Sequence, residues 1–277
     1  MTRLTNVDIC DIPLKLAQYN QELLYKTGRT LLGIACHANS KDEHEIENQI
    51  QSCSIHVIPI NAGQGIINDF SKTVAAILKF LGFKAIVADQ PDTSGIATAY
   101  EEKADAIMMA DDHRFVGINL KNQFLIDNST ATGRVFVSAL DLMAKGIKNR
   151  KVLVLGCGPV GEVAAQTLLM FNARVSLFDI ELSAARSLKK KLLKYPGSDR
   201  IFIEQSLSTA LLNNCYIVEA TPVAGTISDK VIRDQMIVAA PGVPLGISTN
   251  GCRILKNRLI HDKLELGVAA MAISMFS

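Results

Sequence analysis

The sequence predicts an α/β protein: a smaller N-terminal α/β domain, preceded by helices, followed by a C-terminal Rossmann-type doubly wound parallel sheet. Three observations support this fold class. The 277 residues suffice for two modest domains, each with its own core. Short apolar segments alternate with helix-like segments in both halves, as in parallel βαβ units. A glycine-rich turn follows one apolar segment of the second half. We expect one domain over residues 1–130 and another over 131–277, whose C-terminal helix can pack back on the first.

Composition narrows the class of protein. The chain is 48% hydrophobic, carries a formal net charge of +2 and contains no Trp, so its core must be aliphatic, which suits buried parallel strands. A charge so close to balance gives no general attraction to nucleic acid or to anionic membranes. The N-terminus lacks the apolar region of a signal peptide, and the apolar stretch 267–276 is shorter than the roughly 20 residues that cross a bilayer. We therefore expect a soluble, cytoplasmic protein with neither a membrane nor a nucleic acid as partner.

The six cysteines indicate neither a metal site nor a disulfide framework. They are scattered along the chain and form no C-x-x-C pair. Cys36, His37 and His44 are the nearest approach to a ligand cluster, and their spacing matches no standard zinc pattern. We expect reduced, structural thiols and no bound metal.

The first half begins with helical sequence and continues with alternating elements. Residues 5–28 indicate helix with a break at Pro13, and Thr5 with Asp8 forms a capping-box pattern. Residues 29–53 are polar and predict irregular structure. The segments that follow predict strands over 55–60, 84–88 and 106–110, and helices over 70–81, 96–103 and 132–145.

The second half repeats the alternation with a stronger signal. Apolar segments predict strands over 151–155, 174–178, 200–203, 216–219, 237–240 and 258–261, with helices between them and a last helix over 268–275. A series of six strands is what a doubly wound nucleotide-binding sheet requires.

A glycine motif follows the first of these six strands. Gly156, Gly158 and Gly161 form G-x-G-x-x-G between an apolar strand and the start of a helix, with Pro159 and Val160 inside the motif. The first glycine permits the tight turn, the second allows a diphosphate to approach the backbone, and the third allows the helix to pack closely on the strand. The free N–H groups at the helix N-terminus favour an anion. We expect these five residues to bind a dinucleotide.

An acid at the end of the next strand indicates which dinucleotide. Asp179 lies 18 residues beyond Gly161, where a carboxylate can accept hydrogen bonds from both hydroxyls of the adenosine ribose. It would repel the 2′-phosphate of NADP, and Ile180-Glu181 supplies no compensating cation. The predicted cofactor is NAD. The alternative is a glycine-rich turn of an unrelated α/β fold in which Asp179 caps a helix.

Two later strand ends fit the same site. Ala220-Thr221-Pro222 follows one strand and Pro241-Gly242 follows another. Ligands bind outside the carboxyl ends of parallel strands, so we expect both loops to border the ribose and nicotinamide. Alternatively, they are only Pro/Gly turns.

Loops at strand ends of the first domain are the candidates for substrate binding. One loop, Asn61-Ala62-Gly63, lies after the first strand, and Asp111-Asp112 lies after the third. Paired carboxylates can hold an ammonium group or accept a proton, and their mutual repulsion tends to raise one pKa. Alternatively, one caps a turn and the other is solvated.

Unusual motifs along the whole chain extend this interpretation. The first domain contains Ile58-Pro59-Ile60, Gly63-x-Gly65-Ile66-Ile67, Phe70-Ser71, Leu81-Gly82-Phe83, Asp89-x-Pro91-Asp92-x-Ser94-Gly95, Met109-Ala110-Asp111-Asp112, Asn119-Leu120-Lys121-Asn122 and Thr132-Gly133. The second contains the glycine motif, Asp179, Glu219-Ala-Thr-Pro222, Pro241-Gly242-x-Pro244 and Ile247-Ser248. From about Leu4 to the C-terminal helix, the chain resembles the pyrroline-ring-forming dehydrogenases of pyrrolysine biosynthesis.

The resemblance implies a specific reaction. The substrate would be lysine joined through its ε-nitrogen to 3-methyl-D-ornithine, and NAD would accept a hydride from the carbon that bears the terminal amine. Loss of ammonia and condensation with the ornithine α-amine would then close the ring. Asp111 is the candidate for binding a substrate ammonium and handling its proton, with Asp112 second. Backbone N–H groups around Gly63 would bind a carboxylate, and Leu4 with the N-terminal helix would cover the site.

Two other classes of function remain open from the residues alone. One is another two-domain NAD-dependent enzyme, such as an amino-acid, shikimate or methylene-tetrahydrofolate dehydrogenase, although the catalytic-lysine motifs of the last two are not found here. The other is a non-catalytic NAD-binding sensor. The oligomeric state is also open, with a homodimer as the candidate.

Overall fold

The computed structural model describes residues 4–61 and 67–276. They divide into two compact units of comparable length. The first comprises Met1–Leu24, Arg29–Ala131 and Lys263–Ser277, and the second comprises Tyr25–Gly28 and Thr132–Asp262. The main division therefore falls at residue 131, and the C-terminal segment belongs with the first unit instead of extending the second to residue 277.

Four helices open the chain: α1 (Asn6–Ile9), α2 (Ile12–Thr27), α3 (Leu31–Ala38) and α4 (Glu43–Ile50). The capping box is confirmed, because the backbone N–H and the hydroxyl of Thr5 both donate to the Asp8 carboxylate. The prediction of irregular structure over 29–53 was wrong. Helix α3 is buried on nearly every side, so it lacks the polar face that marks an amphipathic helix in sequence.

The first unit contains a five-stranded sheet formed by β1 (Ser54–Ile58), β2 (Lys84–Val87), β3 (Ala106–Ala110), β4 (Phe115–Asn119) and β5 (Leu125–Asp127). Helices α5 (Phe70–Leu81) and α6 (Asp92–Glu101) connect the first three strands. The order is β2-β1-β3-β4-β5, with β1 parallel to β2 and β3. The predicted parallel βαβ units are present, but β4 and β5 add an antiparallel edge that the sequence reasoning missed.

The second unit contains a six-stranded parallel sheet. Helix α7 (Asn128–Met143) leads to β6 (Lys151–Leu155), α8 (Pro159–Met170), β7 (Arg174–Phe178), α9 (Leu182–Leu192), β8 (Ile201–Ile203), α10 (Leu207–Asn213), β9 (Tyr216–Glu219), β10 (Ile237–Ala239), α11 (Thr249–Leu255) and β11 (Leu259–Ile260). The order is β11-β10-β9-β6-β7-β8. This is the doubly wound arrangement, with its topological switch point between β6 and β9. The predicted fold class is confirmed.

The last helix, α12 (Glu265–Met275), completes the core of the first unit. Its residues from Leu266 to Met275 are all buried, so the helix is apolar around its whole circumference. It packs against α3, α5 and β4. The Asn119 amide donates to the carbonyl of Met275 over 2.9 Å, and the Ser274 hydroxyl donates to Asn39 over 2.6 Å. The first unit is therefore built from both ends of the chain.

Among residues 4–61 and 67–276, no helix has the length and hydrophobicity to cross a bilayer.

Candidate functional site

The turn after β6 lies at the switch point of the second sheet. Gly156 has φ of +90°, a conformation that favours glycine, and its N–H donates to the carbonyl of Phe178 over 2.9 Å. A Cβ at Gly156 would lie 2.8 Å from the carbonyl oxygen of Ala220. The turn is therefore tight and directly abuts the loop after β9.

The next two glycines play different roles at the start of α8, where Pro159 is the first residue and Val160 the second. A Cβ at Gly161 would lie 1.9 Å from the carbonyl oxygen of Gly156, so this glycine allows the helix to pack on the turn. A Cβ at Gly158 would meet no atom within 4 Å. The space above Gly158 is open beside the N-terminus of a twelve-residue helix, and the geometry fits the diphosphate of a dinucleotide.

Asp179 lies just after β7, beside the glycine turn. Its carboxylate accepts the N–H of Cys157 over 2.7 Å and the N–H of Glu181 over 2.9 Å. The acid is thus held in place by the turn itself, with its side chain half-buried and the neighbouring Ile180 90% exposed. Each carboxylate oxygen has capacity for a further donor, as binding of ribose hydroxyls requires.

Cys157 in the same turn has a structural environment. Burial, reinforced by the Asp179 carboxylate, raises the pKa of its thiol to about 12. The thiol therefore stays protonated near neutral pH and is a poor nucleophile.

The loops after β9 and β10 lie against one another. A Cβ at Gly242 would come within 2.3 Å of the carbonyl oxygen of Thr221. Ala220, Thr221 and Pro241 are half-buried and Pro222 is exposed. The structure thus brings the predicted loop residues together with the glycine turn at the carboxyl edge of the sheet.

Glu219 belongs to a sequence motif but was not predicted as a site residue. The residue is fully buried at the end of β9, and Thr221 donates both its backbone N–H, over 3.0 Å, and its hydroxyl to the carboxylate. Burial raises the pKa of this carboxyl, and the hydrogen bonds oppose the shift. The available signal was an acid at the end of a largely apolar strand, Tyr216–Glu219.

The first unit contains a cavity of about 510 Å³ at the carboxyl ends of its parallel strands. Its walls come from the ends of β1, β2 and β3 and from the start of α5. The lining residues are Pro59, Ile60, Asn61, Ile67, Asn68, Asp69, Phe70, Ser71, Lys72, Val87, Ala110, Asp111 and Asp112. Asn61, Asp111 and Asp112 were predicted for the substrate site, and they line this single cavity.

Asp111 is held by the turn that follows β3. One oxygen of its carboxylate accepts the N–H groups of His113 and Arg114, each over 2.7 Å. These two bonds hold the pKa of Asp111 below its usual range. The expectation that repulsion within the Asp111–Asp112 pair raises a pKa is thus wrong for Asp111, because its backbone hydrogen bonds from Arg114 and His113 lower the pKa instead. An ionised carboxylate is suited to holding an ammonium group.

The remaining predicted substrate residues have different outcomes. Leu4 is 6% exposed and is not among the described residues that line the cavity. Ala62 and Gly63 lie outside the described residues.

The first turn of α5 was not predicted as part of the site. Lys72 pairs there with Asp69 over 2.8 Å in the cavity wall. The first turn of α5 lies only a few residues after the Asn61 loop, and this short distance in sequence could have indicated its place in the cavity wall.

In the described part of the chain, no three His, Cys, Asp or Glu side chains are arranged to hold a metal ion. The six cysteines are free thiols.

Comparison with known proteins divides the chain in the same way. Residues 8–126 match the domain family described as "Pyrrolysine biosynthesis protein PylD, N-terminal domain". Residues 129–240 match the family described as "Alanine dehydrogenase/PNT, C-terminal domain".

Two solved dehydrogenases share this architecture. Quinate dehydrogenase from Corynebacterium glutamicum in complex with NAD aligns with a TM-score of 0.56 and 15% identity, over 82% of this chain and 94% of that chain. Shikimate 5-dehydrogenase from Thermus thermophilus in complex with NADP(H) and shikimate aligns with a TM-score of 0.53 and 15% identity, over 81% and 93%. At this identity the likeness concerns the fold alone. The fold and the glycine turn define the class: a two-domain protein with the dehydrogenase fold of oxidoreductases.

Sequence relatives identify the family within this class. The pyrrolysine synthase of Methanosarcina barkeri is 30% identical over 99% of this chain and 98% of its own length. That of Methanosarcina acetivorans is 32% identical over 80% of this chain and 82% of its own. The chain belongs to the pyrrolysine synthase family, and the resemblance found in the sequence is confirmed.

Proposed function

We propose that this protein catalyses the ring-forming oxidation of pyrrolysine biosynthesis with NAD as the hydride acceptor. The substrate is lysine-Nε-3-methyl-D-ornithine, and the carbon that is oxidised bears the terminal amine of its methylornithine part. One observation carries the proposal: a member of the pyrrolysine synthase family has an open glycine turn at Gly158 with Asp179 at the end of the adjacent strand.

NAD is favoured over NADP by the charge at the ribose position. Asp179 would accept the two ribose hydroxyls and repel a 2′-phosphate. The exposed Ile180 and the acidic Glu181 that follow it provide no cation for that phosphate. When bound, NAD supplies the acceptor for the hydride.

The chain's own residues would bind and orient the amine. Asp111, ionised and directed by the turn after β3, would hold a substrate ammonium at the cavity wall. Its lowered pKa makes it a good counter-ion and a weak base. The proton that must leave before hydride transfer would therefore pass to solvent or to another group, while Asp111 keeps the amine in place.

The chemistry that follows balances without a further redox partner. Loss of a proton and a hydride converts the amine to an imine, and water displaces ammonium from it to give an aldehyde. The ornithine α-amine condenses with this aldehyde and releases a water molecule. Ring closure is intramolecular, so proximity favours it and it needs little from the protein.

The reaction can be tested directly. Purified protein with NAD and lysine-Nε-3-methyl-D-ornithine should produce NADH, ammonium and pyrrolysine in equal amounts, measured by absorbance, ammonia assay and mass spectrometry. The same substrate acetylated on its terminal amine is the matched control and should give no NADH. Turnover of shikimate or quinate in place of the proposed substrate would overturn the assignment, and so would a protein that binds NAD without oxidising either class of compound.

The role of Asp111 makes a separate prediction. Asp111→Asn keeps the size and an acceptor for the turn but removes the charge that would hold the ammonium group. We expect turnover to fall about 10- to 150-fold, since charged hydrogen bonds contribute about 1.5–3 kcal/mol, while calorimetry shows NAD affinity unchanged. An Asp111→Asn variant with normal turnover would remove this residue from the site.

A further inference from the structure

Glu219 is a buried acid for which the proposed chemistry has no use. It is fully buried at the carboxyl end of β9, and within residues 4–61 and 67–276 the structure gives it no cationic partner. A buried carboxyl normally persists only where hydrogen bonds compensate for its lost hydration. The hydrogen-bond partners of the Glu219 carboxyl group therefore indicate its role.

The partners of this carboxyl lie on two different loops. One oxygen accepts the backbone N–H of Thr221, over 3.0 Å, and the Thr221 hydroxyl. The other accepts the N–H of Gly246 over 3.3 Å. The backbone carbonyl of Glu219 also accepts the N–H of Gly242 over 3.1 Å. A single residue thus joins the loop after β9 to the loop after β10.

Glycine in the second loop is required by this same side chain. A Cβ at Gly246 would lie 2.7 Å from the carboxyl carbon of Glu219, and a Cβ at Gly242 would lie 2.9 Å from one carboxyl oxygen. The loop therefore folds directly over the acid. Gly246 is therefore explained by the space that the Glu219 carboxyl group occupies, whereas at Gly242 the nearest obstacle is the carbonyl oxygen of Thr221, at 2.3 Å.

These loops lie on one side of the switch point, and the strand end that would bind the adenosine ribose lies on the other. The first loop abuts the glycine turn, since a Cβ at Gly156 would lie 2.8 Å from the carbonyl oxygen of Ala220. Asp179 follows β7, on the other side of β6 from β9. The nicotinamide half of a dinucleotide that crosses the switch point would therefore face the loops joined by Glu219.

We propose that Glu219 is a positioning residue for the nicotinamide half of the cofactor, acting through the loops after β9 and β10 that its carboxyl group joins. This inference rests on the proposed use of NAD. The chemistry explains the choice of an acid: both oxygens of a carboxylate accept, so one side chain satisfies N–H donors on two loops. A glutamine would present its NH₂ group to one of those donors and leave that donor unsatisfied.

The experiment compares the binding of ADP, which lacks the nicotinamide half, with the binding of the whole cofactor. ADP carries the adenosine and the diphosphate, whereas NAD adds the nicotinamide riboside. For Glu219→Gln we expect the calorimetric affinity for ADP to stay within about twofold of wild type. The affinity for NAD should fall about tenfold or more, the equivalent of one unsatisfied buried donor. Asp141→Asn is the matched control, because Asp141 also accepts a backbone N–H in the second unit, from Ile147 over 2.9 Å, but lies on α7.

A second variant keeps the inference testable if Glu219→Gln does not fold. Thr221→Val removes the hydroxyl that donates to the acid and should likewise lower NAD affinity while sparing ADP. Equal losses for ADP and NAD, or no loss of NAD affinity in either variant, would overturn the positioning role. If wild-type protein binds ADP and NAD equally well, the positioning role fails while the site at the glycine turn stands. If it binds neither, the proposed use of NAD fails and takes this inference with it.

Discussion

Asp179 has structural contacts beside the role in cofactor recognition that we propose for it. Its carboxylate accepts backbone N–H groups from the glycine turn and from the start of the following segment. The acid is thereby placed before any cofactor arrives, which reduces the entropy that binding must overcome. Its position was predictable from spacing alone, whereas its bond to Cys157 was not, because that bond depends on how the turn folds back.

The structural contacts of Asp179 and its proposed ribose-binding role must be separated in a test. Asp179→Asn should weaken NAD binding about tenfold or more, because a charged acceptor of the ribose hydroxyls is lost. The Asn side chain also leaves one of the two backbone N–H donors unsatisfied. A loss of NAD affinity caused by a less ordered turn must therefore be distinguished from a loss of ribose binding. We therefore expect the ratio of NADP to NAD affinity to rise about tenfold, since the repulsion of the 2′-phosphate disappears. An unchanged ratio in calorimetric titrations would contradict the ribose role.

At the scale of elements, the glycine turn and α8 make a paired prediction. Gly161→Ala places a methyl group 1.9 Å from a backbone oxygen and should destabilise the protein by about 1–3 kcal/mol. Gly158→Ala meets no protein atom within 4 Å and should leave the urea midpoint nearly unchanged. Its methyl group would nevertheless project toward the diphosphate, so NAD affinity should fall at least about tenfold. Equal effects of the two variants on stability would show that the turn is packed differently.

Helix α1 carries a pH-dependent contact in the first unit. Hydrogen bonds from Lys263 and Thr5 lower the pKa of Asp8 from 3.8 to about 2. A group whose pKa is depressed by folding stabilises the folded state above its unfolded pKa and loses that contribution as the pH falls toward the folded value.

We therefore expect Asp8→Asn to destabilise the protein by at most about 1 kcal/mol at neutral pH, because the pair is partly exposed. The difference from wild type should shrink between about pH 4 and pH 2, measured as urea midpoints across that range. A difference that grows on acidification would have the wrong sign for this contact.

An element could be predicted where its pattern lies in the local sequence, and not where it depends on contacts with distant parts of the chain. The strands and the glycine turn of the second unit were predictable because buried parallel strands are continuous apolar runs punctuated by glycine. Helix α3 was not, because Leu31 to Cys36 are all buried and show no periodicity. The β4–β5 pair was missed because antiparallel pairing is set by partners across the sheet. In the cavity of the first unit, the acids after β3 were predictable and the contribution of α5 was not, because that contribution depends on tertiary placement.

At the scale of the whole molecule, the first unit depends on residues from the far end of the chain. Removal of residues 263–277 would expose the apolar surfaces of α3, α5 and β4 that α12 covers. We expect this truncation to leave the first unit open to proteolysis while the second, which contains all its own strands, still binds NAD. Limited proteolysis with mass spectrometry and calorimetry would measure both. Equal loss of structure in the two units would show that they fold as one.

The position of α12 has a consequence for biosynthesis. The ribosome synthesises residues 132–262 between most of the first unit and the helix that completes its core. The first unit therefore cannot bury the surfaces that α12 covers until that helix has left the ribosome, and a nascent chain exposes an apolar groove until then. Chaperone occupancy on translating ribosomes should therefore concentrate on the N-terminal half and fall once α12 has emerged.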